Sequence, residues 1–523
     1  MQFLKELAYV IQQNKTRNPE ELGINNDNPT RVDELYNGIV QQQFKNDDEA
    51  AKKMYGHEVD KSHSGYQKLK GKLKQRLIDH LFLVDTWNDA FTDRQNAFYT
   101  CQKEWAAANI LIGRNTRKSG ITLAHNILKQ AKRFEFTDLV VDVAKTLRLH
   151  YGTREWNLVK FEKYNKIFHK FNRIREMEDL AEELYTLLII RYVNNKATKT
   201  EINEKAKEFV QQLQEPMAKY DTYRLQLCGR LIQILIHTSV NDYASTIKVC
   251  EDTLRFFKAK EYTANIPIQI CHYQLIVCHI QLKQYKEGKK AAEDCLIFQN
   301  EGSFNWFKYQ ELYFILSMHT KQYQQAYKIF LQTVNHRRFN GMPNNLKEMW
   351  QIFEAYLHYL VDHNLVVPEE GDNRFNKFRL GKFLNNTPIF SRDKRGMNIP
   401  ILIIQILFMI NQQKYSAAID KIDAIEKYCS RYLTKNDTFR SNCLIKMLLQ
   451  IPICSFHRIA VERKTGKYLD KLKKVPLEVA KQTHEIEIIP YENLWEMAVN
   501  SMGNTFYKKS ESQKRRNRAS GSR

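Results

Sequence analysis

The amino-acid sequence predicts an all-α protein, an α-solenoid of irregular helical hairpins with an N-terminal helical region. The chain has 523 residues but only 18 glycines and 11 prolines, too few for a turn-rich β fold. Apolar residues recur at steps of three and four, the spacing of one helix face. One such pattern also repeats along the chain, which predicts stacked units of similar structure.

The repeated pattern is clearest between Cys271 and Val334. It consists of a tyrosine, a small residue three positions on, an apolar residue four later, and a small residue three after that. These steps place all the positions on one helix face, where small residues allow a neighbouring helix to approach closely. The two copies are Tyr285, Gly288, Ala292 and Cys295, and Tyr323, Ala326, Phe330 and Thr333. Each follows an apolar helix and a short polar turn, so each unit is predicted to be a helical hairpin.

The segment Leu282 to Gly288, with Ala292 and Cys295, resembles the turn and second helix of a tetratricopeptide repeat. Similar copies start at Tyr243 and at Tyr415, the latter with Ala418 three residues on. The tyrosines are 42, 38 and 92 residues apart, whereas the family repeat is about 34 residues. The resemblance covers roughly 230 to 430 and implies a solenoid that binds other proteins. Phe136, with Leu139, Val143 and Thr146, is a further degenerate copy.

Composition, and the positions of residues that interrupt helices, divide the chain into six segments. They are an N-terminal helical region with a basic helix (1–90), a helical region with degenerate repeats (91–229), the tetratricopeptide-like repeats (230–361), a Gly, Pro and Asn-rich linker (362–398), C-terminal helical repeats (399–507) and a disordered basic tail (508–523). Between 91 and 229, long helices are predicted over Ala90–Ile112 and Ile121–Tyr151.

The formal net charge of +22 favours polyanionic partners but is also compatible with a merely basic surface. The densest basic helix is predicted over Tyr66–Val84, where the preceding helix and a turn at Gly56 resemble a helix-turn-helix. Its candidate nucleic-acid contacts are Lys68, Lys70, Lys72, Lys74 and Arg76. A solvated or partner-facing basic helix is the alternative. Residues 160–175 carry parallel aromatic and lysine stripes, which we interpret as core packing with lysines extending to solvent rather than as a nucleic-acid platform.

The sequence contains no phosphate-binding loop, dinucleotide glycine pattern, zinc-protease motif or nucleophile elbow, so no catalytic residue and no cofactor are predicted. Cys271-His272 and Cys278-His279 have a spacing that could share a metal, but zinc pairs usually come from a tight turn, so we interpret them as parts of a buried repeat helix. Nine cysteines in apolar helical patterns indicate reduced thiols and a cytoplasmic location. The most apolar segment, Ile399–Ile410, is too short to span a bilayer, so no membrane partner is expected.

These patterns predict a non-enzymatic scaffold that binds a peptide or partner protein in the solenoid groove. The alternative is a nucleic-acid-linked regulator, in which the N-terminal basic helix contacts DNA or RNA and the repeats act as a sensor. The sequence leaves the partner and the oligomeric state open.

Overall fold

The structure is a computed structural model that describes residues 1–13, 29–82, 92–193, 199–375, 398–432, 439–477 and 487–507. Helix accounts for 79% of these residues, in 21 α-helices, and none of them forms a strand. The all-α prediction is therefore confirmed for the described chain. The predicted tail (508–523) and residues 376–397 of the predicted linker lie outside the described residues.

The chain divides into two compact units, Met1–Arg175 with Glu261–Thr263, and Glu176–Lys260 with Ala264–Arg523. The helices that begin in the first unit are α1 Gln2–Gln13, α2 Arg31–Val40, α3 Asp47–Tyr55, α4 Ser64–Leu81, α5 Asp93–Gly113, α6 Arg117–Arg133, α7 Thr137–Thr153 and α8 Leu158–Val193. Residues 158–175 of α8 belong to the first unit and the remainder belongs to the second.

Helices α1 to α4 pack around one apolar core, to which α4 contributes its buried stripe of Tyr66, Leu69, Leu73 and Leu77. In the same unit, α6 packs on α5 and on α7. His125 of α6 joins three helices, because one ring nitrogen lies 2.8 Å from the Tyr151 hydroxyl of α7 and the other 3.1 Å from the Tyr164 hydroxyl of α8.

The predicted single helix over Ile121–Tyr151 is wrong. The segment is part of two helices, α6 and α7, separated at Phe134–Phe136, and α6 begins earlier, at Arg117. Glu135 takes a left-handed backbone conformation there (φ 57°). Periodicity alone missed this break because Phe134 and Phe136 are both buried and continue the apolar pattern across the turn.

In the second unit, each helix packs on the next along the chain, which is the arrangement of a solenoid built from hairpins. These helices are α9 Lys199–Lys219, α10 Tyr223–Thr238, α11 Tyr243–Lys258, α12 Asn265–Gln281, α13 Tyr285–Leu296, α14 Phe304–His319, α15 Tyr323–Val334, α16 Asn344–Asp362, α17 Asn398–Asn411, α18 Tyr415–Tyr432, α19 Phe439–Ile453, α20 Arg458–Lys474 and α21 Tyr491–Asn500.

No described helix combines the length and apolarity needed to cross a membrane. The most apolar one, α17, has 14 residues, against the roughly 20 that a membrane-spanning helix requires.

The described part of the predicted linker is packed against α15. The Gln324 side chain exchanges hydrogen bonds with the backbone of Val367 (2.9 and 3.0 Å), and the Tyr327 hydroxyl donates to Asp372 Oδ2 (2.8 Å). Phe375 is buried with its ring centroid 5.4 Å from that of Tyr327. Glycine, proline and asparagine content predicted a linker or long loop here but could not reveal these contacts.

Candidate functional site

Four hairpins of the second unit close with the same turn. Asn241, Lys283, Lys321 and Gln413 have φ between 54° and 61°, and each stands two residues before the tyrosine that starts the next helix. The N–H of the following residue donates to the carbonyl five positions back, for example from Gln284 to His279 O at 2.9 Å and from Gln322 to Ser317 O at 2.8 Å. This is a Schellman helix end, so one turn geometry recurs in all four hairpins.

The small residues of the repeated pattern lie at helix crossings. Gly288 is buried, and a Cβ added there would meet Leu316 Cδ2 at 2.7 Å and His279 Cβ at 3.0 Å, on the two helices that flank α13. Tyr243, Tyr285 and Tyr415 are half-buried at their helix starts. The remaining positions of the pattern are buried, namely Ala292, Cys295, Tyr323, Ala326, Phe330 and Ala418.

The repeated pattern read from the sequence missed one copy and placed another one residue too early. Asn115 (φ 63°) closes the α5–α6 turn, and Arg117, Gly120, Ala124 and Ile127 then follow the same spacing. The copy placed at Phe136 is off by one residue, since Glu135 is the left-handed residue and the pattern is Thr137, Val140, Ala144 and Leu147. Neither copy has a tyrosine at its start. For the copy that begins at Arg117, the sequence did offer one signal, because Asn115 precedes the apolar pattern and asparagine accepts positive φ.

The C-terminal segment 487–502 covers one side of the later hairpins. His319 Nε2, at the end of α14, donates to Glu487 O (2.5 Å), and His363 Nε2, just after α16, hydrogen-bonds to Ser501 Oγ (2.9 Å). Helix α21 packs on α17, α19 and α20, and its Tyr491, Leu494 and Trp495 are buried. This part of the repeat surface is therefore occupied by the chain itself.

Helix α12 keeps an open face. It packs on α11, α13 and α14, and its remaining side carries Ile266 and Tyr273, which are 49% and 36% exposed, with half-buried Ile270 and Val277 between and beyond them. These four residues, termed the α12 face, fall at i, i+4, i+7 and i+11 and so form one stripe. Asn265–Gln281 contains no Asp, Glu, Lys or Arg. An uncharged apolar stripe exposed on a helix is typical of a docking surface.

Neighbouring side chains hold the α12 face in place. Gln269 Nε2 donates to Phe298 O (3.0 Å), the Tyr309 hydroxyl donates to Gln269 O (2.6 Å), and the Tyr273 and Tyr309 rings meet edge to face with centroids 5.9 Å apart. Burial raises the pKa of Tyr309 far above its usual range, so its hydroxyl remains a donor. The stripe is thus displayed by a fixed helix.

The basic residues of α4 are partly engaged within the N-terminal bundle. Lys70 Nζ lies 2.8 Å from Asp47 Oδ1, Arg76 Nη1 lies 2.9 Å from Asp33 Oδ1, and Lys74 lies over the Phe3 ring at 5.3 Å. Burial alone would raise the pKa of Asp47, but hydrogen bonds from Lys70, the Met1 amine and Tyr66 lower it to about 2. Lys68 and Lys72 are exposed.

In the structure, the segment that resembles a helix-turn-helix does not gather side chains suited to recognising bases. Helix α3 does pack on α4, but the segment between them is held by its own contacts, such as Tyr55 OH to Gly65 O at 2.9 Å. Two of the five candidate contacts, Lys70 and Arg76, already hold carboxylates.

Cys271, His272, Cys278 and His279 are all buried in α12. Among the described residues, no group of three or more His, Cys, Asp or Glu is arranged to hold a metal ion. Burial lowers the pKa of His272 to about 4 and raises that of Cys278 to about 12, so both groups are neutral at pH 7. The eight described cysteines are free thiols.

Comparisons with protein-family models, curated proteins and solved structures found no match to this chain.

Proposed function

We propose that this protein is a non-catalytic, tetratricopeptide-like scaffold of the cytoplasm that binds an apolar peptide or helix of a partner protein along the α12 face. The observation that carries the proposal is the uncharged stripe of Ile266, Ile270, Tyr273 and Val277, exposed on a helix whose other sides are packed. The tetratricopeptide-like assignment is supported by the common turn at Asn241, Lys283, Lys321 and Gln413.

The partner we propose is an amphipathic or extended segment. A stripe with i, i+4, i+7 spacing is the counterpart of a helix whose apolar residues have the same spacing. The segment 487–502 supports this choice from within the chain. Its short amphipathic helix, α21, packs on α17, α19 and α20, and Glu487 and Ser501 on either side of that helix hydrogen-bond to His319 and His363 at the ends of α14 and α16.

The test is capture of the partner from the native cell by the double variant Ile266→Glu/Tyr273→Glu. Carboxylates at two exposed positions should abolish docking of an apolar segment, because each charge would have to be buried. The matched control, Ile110→Glu/Ile459→Glu, changes two isoleucines on other helices that are 62% and 59% exposed. We expect capture by the wild type and the control, in nuclease-treated lysate, and its loss in the α12 variant, with circular dichroism showing that this variant stays folded.

Two results would contradict the proposal: capture that survives in the α12 variant, or capture that nuclease abolishes in the wild type. The second would favour the nucleic-acid-linked regulator. That alternative keeps some support at α4, where Lys68 and Lys72 are exposed.

A further inference from the structure

A second cationic surface lies in the first unit, where α6 and α8 run side by side. His125 lies beside Tyr164 and Lys132 beside Phe171, pairs with the same separation in sequence, so the two helices run in the same direction. Lys132 Nζ of α6 and Lys170 Nζ of α8 each lie 5.9 Å from the centroid of the Phe171 ring. Lys163 Nζ lies 5.6 Å from the Tyr164 ring, one turn of α8 from Lys160. Lys132, Lys163 and Lys170 are termed the α6–α8 lysine cluster.

The cluster has no carboxylate to balance it within the described chain, where none of its three lysines pairs with an acid. Residues 117–175 contain fourteen lysines and arginines against five aspartates and glutamates. The pKa of Lys132 is lowered, first by burial and then by the charges of Lys163 and Lys170. Convergent like charges without a partner indicate a site for an anionic ligand.

An exposed tryptophan comes just before α8 in the chain. Trp156, in the turn between α7 and α8, is 81% exposed and has a left-handed backbone (φ 49°). The turn is fixed by hydrogen bonds from Asn157 N to Tyr151 O (2.9 Å) and from Lys160 N to Asn157 Oδ1 (3.0 Å). Lys160 Nζ lies 3.6 Å from Glu155 Oε2, so the lysines of α8 without an acidic partner extend from Lys163 to Lys170, about 10 Å at the rise of an α-helix.

The sequence of residues 160–175 favoured core packing with solvated lysines over a nucleic-acid platform. In the structure, however, Lys132 of α6 joins Lys163 and Lys170. We therefore propose instead that the α6–α8 lysine cluster binds the phosphate backbone of a single-stranded nucleic acid, with Trp156 stacking on a base. Lysines act as point charges that contact phosphates without reading bases, so binding should be independent of sequence. Proteins that bind single strands combine positive side chains for the phosphates with aromatic rings on which the free bases stack. This site is separate from the α12 face, so the test of one proposal does not decide the other.

The test measures binding of fluorescent single-stranded DNA and RNA to the full chain by anisotropy near physiological salt. The variant Lys132→Gln/Lys163→Gln/Lys170→Gln should bind at least ten-fold more weakly. Its plot of log affinity against log salt should lose a slope of about 2, since each phosphate contact on a single strand contributes about 0.7. Trp156→Ala should weaken binding by about five-fold or more. Replacing the same three lysines with arginine should preserve binding, which separates loss of charge from loss of fold.

The matched control is Lys286→Gln/Lys290→Gln/Lys328→Gln at exposed positions of α13 and α15, which removes the same charge and should change the affinity less than two-fold. Equal weakening in the two triple variants, or no binding by the wild type near 0.15 M salt, would overturn the proposal. Binding to duplex DNA with an affinity that Trp156→Ala does not change would also overturn the proposal. Leu158 and Val159 are also exposed beside Trp156, and anionic phosphatidylserine vesicles that bind the wild type but not Leu158→Ser/Val159→Ser would assign the surface to a lipid membrane instead.

Discussion

At the scale of single residues, several left-handed turn positions hold side chains that do not favour that conformation. Asn115, Asn241 and Asn364 adopt positive φ at little cost, whereas Lys283, Lys321 and Gln413 adopt it at a steric cost. The backbone is held there by the helix-end hydrogen bond that follows each of these residues, such as Gln322 N to Ser317 O. The backbone conformation at these positions is therefore set by the fold of the hairpin and not by the preference of the residue that occupies them.

Replacing Lys321 with glycine should stabilise the protein by roughly 0.5–1 kcal/mol, because relief of the left-handed strain exceeds the added entropy of the unfolded chain. Chemical denaturation would measure the change. The matched control is Lys328→Gly, at an exposed position within α15, where the same substitution should cost about 1 kcal/mol. Destabilisation by both would mean that Lys321 is not left-handed in solution.

At the scale of helices, close approach between neighbours depends on the small residues of the repeated pattern. Gly288 stands where any Cβ would touch Leu316 and His279, and Ala326 occupies the equivalent position in α15 with no exposed surface. A larger side chain at either position would push the helix away from its neighbours.

The substitution Ala326→Leu should overpack the α15 crossing and cost roughly 1–3 kcal/mol. Thermal unfolding would show it as a lower melting temperature. Gln332→Leu, on the exposed side of the same helix, adds the same side chain to solvent and should leave the melting temperature nearly unchanged. Equal tolerance of the two would mean that the hairpin register is wrong.

At the scale of the second unit, one buried arginine joins segments that are far apart in the chain. Arg440 donates to both carboxylate oxygens of Glu487 (2.6 and 3.0 Å), to Glu492 Oε2 (2.7 Å), and to the carbonyls of Leu472 and Val475 (3.1 and 2.8 Å). Its side chain has no exposed surface, like that of Glu487. The contacts fix the start of α21 against α19 and the end of α20.

Replacing Arg440 with methionine should destabilise the protein by about 3–5 kcal/mol, because two carboxylates lose their buried partner. Burial already raises the pKa of Glu487 in the native protein, while Arg440 acts to lower it. Without Arg440 the folded state should bind a proton more readily, so the variant should lose stability as pH rises and the deficit should shrink on acidification toward pH 5. The triple variant Arg440→Met/Glu487→Gln/Glu492→Gln should recover much of the loss at pH 7. A deficit that does not change with pH would contradict this account.

The sequence by itself determined the helical class and the hairpin pattern of the repeats, because both follow from local spacing. Tyr285, Gly288 and Ala292 lie on one face of any helix they form, and an apolar helix followed by a polar turn must reverse to bury that face. The break between α6 and α7 escaped detection because Glu135 gives no local signal for positive φ.

Only the tertiary structure decided which surfaces remain open. Helices α12 and α17 are both free of Asp, Glu, Lys and Arg, so their sequences predict equally buried helices. In the structure α21 packs on α17, whereas Ile266 and Tyr273 of α12 stay exposed. The same holds for charge: Lys70 and Arg76 pair with Asp47 and Asp33, which lie 23 and 43 residues away in sequence. Exposure depends on contacts between distant segments, and spacing within one helix carries no information about them.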